Sequence, residues 1–182
     1  MILLYIIIGL ALLLFVLSIF APKTYVVERT IYIERPLEEV YDYLRFLRNQ
    51  EEWVKRKHQD PDMKKTYSGE DGKIGFQFTW DSKIKEVGAG QETITVLEHN
   101  DVIYTKLEYH RPIKSESTTF MRMLSVGDTA TEVTWGITGD IHTPYNAVLL
   151  FVNMDKQLGK SYEEDLSNLK RILELDGTDE EE

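Results

Sequence analysis

The chain contains no cysteine, which excludes disulfide staples and thiol catalysis. It is also poor in histidine. The four present, His58, His99, His110 and His142, are scattered, and no HxH, HxxxH or HxxE spacing occurs. No metal centre is therefore expected. A long basic cluster is missing too: Lys55-Arg56-Lys57 is the longest, and the net charge is −10. Phosphate binding needs a basic footprint, so nucleic acid is not an expected partner. Neither a GxSxG nor a phosphate-loop pattern occurs. Gly88-Ala89-Gly90 precedes a predicted strand instead of a helix, so it lacks the amide cradle that phosphates use. It reads as a turn or bulge. No cofactor is implied.

Charged side chains are absent from Met1 to Ala21, MILLYIIIGLALLLFVLSIFA. As a helix this run spans about 31 Å, which matches the hydrocarbon core of a bilayer. A cleaved signal would need a basic start, a shorter apolar core and a small-x-small exit. None is present, although a signal or a buried helix stays the rival reading. Residues 1–22 are thus expected to be a single-pass membrane anchor, ended by Pro22. Lys23, Arg29 and Arg35 follow the run, while only the α-amino group precedes it. The positive-inside rule leans towards a cytoplasmic domain on that small bias. Residues 23–175 make one domain, and 176–182 an acidic tail expected to be disordered. A domain of about 150 residues buries roughly two thirds of its unfolded surface, so it needs no staples.

Behind the anchor, Thr24–Glu34 reads as a strand, with Val27, Ile31 and Ile33 on one parity and Arg29 interrupting it. Pro36 opens a short helix with Glu38 and Glu39 in its first turn. Val40, Tyr43, Leu44 and Leu47 form its inner face. Gln50–Lys57 is a second short helix burying Trp53. From Met63 the period becomes that of strands: Lys64–Ser68, Lys73–Trp80, Ala89–Glu98, Val102–His110, Ser115–Ser125 and Thr131–Gly139. Short turns such as Gly69-Glu70-Asp71-Gly72 and Gly127-Asp128 join them, which predicts an antiparallel meander. Phe76, Phe78 and Trp80 share a face. So do Ile94 and Val96, then Ile103, Leu107 and Tyr109, then Val133, Trp135 and Ile137. In Ser115–Ser125 the inward set is either Phe120, Arg122 and Leu124 or Met121 and Met123. The methionines are preferred because Arg122 then stays solvated.

The longest helix is predicted last, over Pro144–Leu175. Thr143 is its N-cap, and Asp176-Gly177 its stop. Phe151, Met154, Leu158, Tyr162, Leu166, Leu169 and Leu173 recur at gaps of three and four, one apolar stripe. At about 45 Å such a helix crosses a small domain. Its stripe requires an equally long apolar surface, which the strands supply.

This order of elements resembles the SRPBCC superfamily, which includes START, polyketide cyclase and pollen-allergen-like domains. The matching segments are YVVERTIYIERPLEEVYDYL at Tyr25–Leu44, GFQFTWDS at Gly75–Ser82, VGAGQETITVLEHNDVIYTKLEY at Val87–Tyr109, TEVTWGITGD at Thr131–Asp140 and MDKQLGKSYEEDLSNLKRILE at Met154–Glu174. The resemblance implies an α+β helix-grip fold: a seven-stranded antiparallel sheet around the C-terminal helix, with a cavity between. It implies a hydrophobic small molecule or lipid as partner, and in some branches cyclase, dehydratase or hydrolase chemistry. By the same analogy Asp81–Gly88 is a gate loop and Arg111–Lys114 a latch, unless both are ordinary hairpin loops. The expected cavity residues are Phe76, Phe78, Trp80, Ile94, Tyr109, Trp135, Met154, Leu158 and Tyr162. Plain core packing is the alternative for the aromatics among them. Strand parity places no carboxylate pair inside, so no catalytic residue is assigned. A membrane-anchored carrier or sensor is the first expectation. An enzyme acting on an apolar substrate is the second, and an interaction module with a vestigial cavity the third.

Overall fold

The computed structural model describes residues 1–176. The predicted stop at Gly177 and the acidic residues that follow lie outside them. Helix α1 (Ile2–Phe20) is followed by β1 (Thr24–Ile33), α2 (Leu37–Leu44) and α3 (Gln50–Trp53), with 3-10 turns at Leu47–Asn49 and Lys55–His58. Then come β2 (Lys64–Ser68), β3 (Gln77–Asp81), β4 (Ala89–Glu98), β5 (Val102–Arg111), β6 (Ser115–Val126) and β7 (Ala130–Asp140). A 3-10 turn at Tyr145–Leu150 leads into α4 (Met154–Asp176). The strands form one seven-stranded antiparallel sheet in the order β1-β7-β6-β5-β4-β3-β2. This is the helix-grip arrangement, with α4 lying across the sheet.

The core follows from pattern. Leu166 and Leu169 of α4 are fully buried against Ile33, Ile103, Met121, Val133 and Trp135 of the sheet and Val40, Leu44 and Trp53 of the short helices. Met121 and Met123 point inward, as expected, while Arg122 stays outside over the Phe120 ring at 4.7 Å. On α2, Tyr41 is buried and Tyr43 only half-buried, its hydroxyl donating to Glu52 Oε2 at 2.8 Å.

Three expectations need correction. The last helix does not run from Pro144. Asn153 Oδ1 accepts the Lys156 amide at 3.0 Å, which is an N-cap, and so α4 starts at Met154. Its 23 residues span about 34 Å. Phe151 falls outside it and is exposed. Strand β3 starts at Gln77, because Lys73–Phe76 closes a turn through the Phe76 amide and the Lys73 carbonyl at 3.1 Å. In β4, Ile94 lies opposite Thr105 but Val96 opposite Tyr104, a bulge at Thr95. The bulge shifts the parity, so Leu97, not Val96, joins Ile94 in the core. The interruption of β1's apolar parity at Arg29 stands, and it has a physical reason. The Arg29 guanidinium pairs with Asp155 at 2.7 Å and Glu163 at 2.6 Å on α4. Gly159 leaves it room, since a Cβ there would lie 1.9 Å from Arg29 Nη2.

Helix α1 is long and apolar enough to cross a membrane. Only Ser18 of it is buried. The remainder of the helix is exposed or half-buried in this structure. Asn146 ties the helix to the domain, donating from Nδ2 to the carbonyls of Ser18 at 2.8 Å and Ala21 at 3.2 Å.

Candidate functional site

Between the sheet and α4 the structure leaves a cavity of about 230 Å³. Of the residues expected to line it, Phe78, Trp80 and Tyr109 reach it from one half of the sheet and Trp135 from the other. Met154, Leu158 and Tyr162 reach it from α4. The aromatic groups brace one another. Trp80 stacks on Phe78 at 5.7 Å and meets Tyr109 edge-on at 5.4 Å, and Trp135 stacks on Tyr162 at 4.2 Å. Phe76 and Ile94 do not line it. They pack with Leu47 in a separate cluster, because the short turn before α3 fills the space over that end of β3 and β4.

A buried polar network completes the wall. Lys57 Nζ lies 3.3 Å from Glu92 Oε2, with only 10% and 7% of the two side chains exposed. The same ammonium donates to Gln50 Oε1 at 2.7 Å and sits 4.5 Å above the Phe78 ring. Thr105 Oγ1 donates to Glu92 Oε1 at 2.8 Å and lies 2.5 Å from Thr119 Oγ1. Burial pulls the Lys57 pKa down against the opposing pull of Glu92. Burial also pushes the Tyr162 hydroxyl and the Asp165 carboxyl up. Asp165 is held by the Lys55 amide, which donates to Oδ1 at 2.9 Å. Arg56 stands at the solvent side and donates from Nη1 to the Tyr109 hydroxyl at 2.7 Å. Among the described residues no carboxylate pairs with it.

Lys57, Glu92, Arg56 and Asp165 were missed from the sequence, yet two carried a signal. Glu92 has the parity of Ile94, which puts it on the inner face. Asp165 lies three residues after Tyr162 and four before Leu169, on the apolar stripe itself. Lys57 and Arg56 sit on a single 3-10 turn, where no periodicity announces an inward face.

The loops suggested as gate and latch meet at one end of the cavity. Arg111 Nη2 donates to Asp81 Oδ1 and to the Ser82 carbonyl, the latter at 3.3 Å. Trp80 Nε1 donates to the Val87 carbonyl at 3.2 Å, fixing a cavity ring against the gate. Gly88 makes the approach possible. It has φ of 67°, and a Cβ on it would lie 2.1 Å from the Arg111 carbonyl oxygen. A register shift follows between Ala89 and Gly90, the bulge expected there.

A sheet gripping a long helix around a partly polar cavity defines a helix-grip protein. The chain belongs to the family described as polyketide cyclase / dehydrase and lipid transport, whose model matches residues 24–174. Solved structures of the same fold include the Zhui aromatase/cyclase from Streptomyces sp. R1128, with a TM-score of 0.61 and 13% identity, covering 83% of this chain and 94% of that one. Norcoclaurine synthase from Thalictrum flavum, in complex with dopamine and hydroxybenzaldehyde, has a TM-score of 0.59 and 8% identity, covering 84% and 89%. The Aha1 dimer from Colwellia psychrerythraea has a TM-score of 0.55 and 16% identity, covering 82% and 96%. At these identities the likeness is one of fold alone. No curated protein matches the chain.

Proposed function

We propose that this protein is a membrane-anchored carrier or sensor for a hydrophobic small molecule or lipid, held between the sheet and α4. The observation that carries the reading is the cavity: apolar and aromatic over most of its wall, with a Lys57–Glu92–Gln50 network whose members satisfy one another. Concave, mostly apolar pockets with few placed polar groups suit such ligands. At about 230 Å³ the space is smaller than the ~300–1,000 Å³ of drug-sized sites. That favours a compact ligand, or one end of a longer chain. The charge-free run of Met1–Ala21 supports retention in a membrane, with the domain leaning to the cytoplasmic side. Apolar ligands partition into a membrane, so an anchor raises the concentration that the cavity meets.

The test is native mass spectrometry of the detergent-extracted full chain, followed by titration with fatty acids, isoprenoids and aromatic polyketides. Trp80 and Trp135 line the cavity, so occupancy should alter tryptophan emission. Saturable binding with recovery of the unchanged ligand supports the reading. No binding by any apolar class would overturn it.

One observation favours a second reading, an enzyme acting on an apolar substrate. Glu92 and Lys57 form a buried acid–base pair on the cavity wall, and burial with a charge partner is how enzymes tune such groups. Both are engaged by neighbours, which is why binding ranks first. Turnover that disappears in Glu92→Gln and Lys57→Met, with ligand binding retained, would move the protein to this class.

A further inference from the structure

We infer that the end of the grip where the gate and latch loops meet lies on the membrane that holds α1, with its loop tips dipping into an anionic leaflet. This rests on the anchor reading and adds a docking surface to it.

Strand register carries the first step. Thr24 lies opposite Asp140, Gly139 opposite Ser117, Ser115 opposite Tyr109, Arg111 opposite Ala89, and Ala89 opposite Asp81. One end of the sheet therefore collects the start of β1, the 82–88 loop, the 112–114 loop and the exit from β7. Helix α1 joins at this end, only three residues before Thr24.

The exposed tips at this end are apolar with basic neighbours. Ile113 is 77% exposed, between Pro112 and Lys114. Ile84 is exposed between Lys83 and Lys85. Among the described residues Lys23, Lys83, Lys85 and Lys114 have no carboxylate partner. Unpaired lysines at one end of a chain with net charge −10 are complementary to anionic headgroups.

The segment after β7 adds the third element. No charged side chain occurs from Thr143 to Met154. Tyr145, Val148, Leu150 and Phe151 are exposed, Phe151 by 72%. Tyr145, Val148 and Phe151 share a surface groove with Ala11, Leu14 and Phe15 of α1. Ala11 lies about 15 Å along the helix from Ala21, half the ~30 Å of a hydrocarbon core. With α1 spanning the bilayer, this groove faces acyl chains, and the Asn146 bonds to Ser18 and Ala21 hold the segment there. Water-exposed, the same patch would be an association hazard. Met154, three residues beyond Phe151, lines the cavity, so the patch and the cavity wall are neighbours along the chain.

The chain has no native cysteine, so single-cysteine variants report one position each. Leu14→Cys, Ile84→Cys, Ile113→Cys, Phe151→Cys and Asp128→Cys of the full chain are labelled with an environment-sensitive fluorophore. Each is reconstituted into phosphatidylcholine–phosphatidylglycerol vesicles containing brominated lipid. Asp128 marks the opposite end, in the β6–β7 turn. Positions 14, 84, 113 and 151 are expected to be quenched, and 128 not. K83E/K85E/K114E, or removal of phosphatidylglycerol, should lower quenching at 84 and 113 at least twofold and leave position 14 unchanged. Quenching at 14 without quenching at 84, 113 and 151 would overturn the docking and leave the anchor intact. Equal quenching at 128 would overturn it as well. No quenching at 14 would remove the anchor reading and this inference together.

Discussion

Lys57 and Glu92 meet at 3.3 Å across the cavity wall, each almost wholly buried. Removing one partner leaves an uncompensated charge in a low-dielectric site. Lys57→Met or Glu92→Leu alone should therefore lower the unfolding free energy by about 3–5 kcal/mol. The double replacement should recover most of that loss, since apolar groups of similar volume often substitute for a buried pair without cost. Urea unfolding of the full chain in detergent measures the cycle. Additive single effects would show that the two charges do not depend on each other.

The stripe on α4 gives a second expectation. Leu166→Ala and Leu169→Ala should each cost about 2–5 kcal/mol, as fully buried leucines do. Phe151→Ala should stay within about 0.5 kcal/mol, because it removes an exposed ring outside the helix. Thermal melts distinguish them. A large loss at Phe151 would mean that the 3-10 segment packs on the domain.

The fold was legible because its patterns are long. The seven strands have period-two patterns, and the stripe from Leu158 to Leu173 recurs at gaps of three and four, so element types and order were readable from one chain. The departures are local. An extra residue at Thr95 moves Leu97 inward in place of Val96, and periodicity cannot foresee a bulge. Asn153 competes with Thr143 as a cap, and both look suitable in sequence. The apolar half of the cavity was visible as a face of aromatics. Its polar half was legible only in part: Glu92 and Asp165 have inward positions in their strand and helix, whereas Lys57 and Arg56 come from a turn with no periodicity to read.

Asp165 supplies a pH dependence. Burial raises its pKa above the ordinary carboxylate value, so the folded state binds its proton more tightly than the unfolded chain does. Its contribution is fully present below the unfolded pKa of about 3.9 and is lost as pH rises through the higher folded value. Asp165→Asn keeps an oxygen for the Lys55 amide and removes the buried charge. The variant should match the parent near about pH 3 and exceed it in stability at about pH 7. Denaturant midpoints across that range, taken as variant minus parent, isolate the effect from other acids. A difference that does not change with pH would mean that Asp165 titrates alike in both states.

Arg56 predicts the head group of the ligand. The positive charge of Lys57 is answered by Glu92, whereas among the described residues the Arg56 guanidinium has no carboxylate in salt-bridge range and donates to the Tyr109 hydroxyl at 2.7 Å. A ligand with an apolar body and a carboxylate could place that carboxylate on the guanidinium while its body lies against Trp80 and Leu158. A hydrogen bond to a charged group contributes about 1.5–3 kcal/mol, and solvent screening at this exposed position brings it to the lower end. A fatty acid should thus bind about tenfold more tightly than the matching alcohol. Arg56→Gln should abolish that preference, weakening the acid about tenfold and the alcohol less than about twofold. Tyr109→Phe should cost the acid less, because the guanidinium remains and no longer donates to the Tyr109 hydroxyl. Competition titrations read by tryptophan emission measure both ligands on the parent and on each variant. Equal weakening of acid and alcohol by Arg56→Gln would mean that the residue shapes the wall without reading charge.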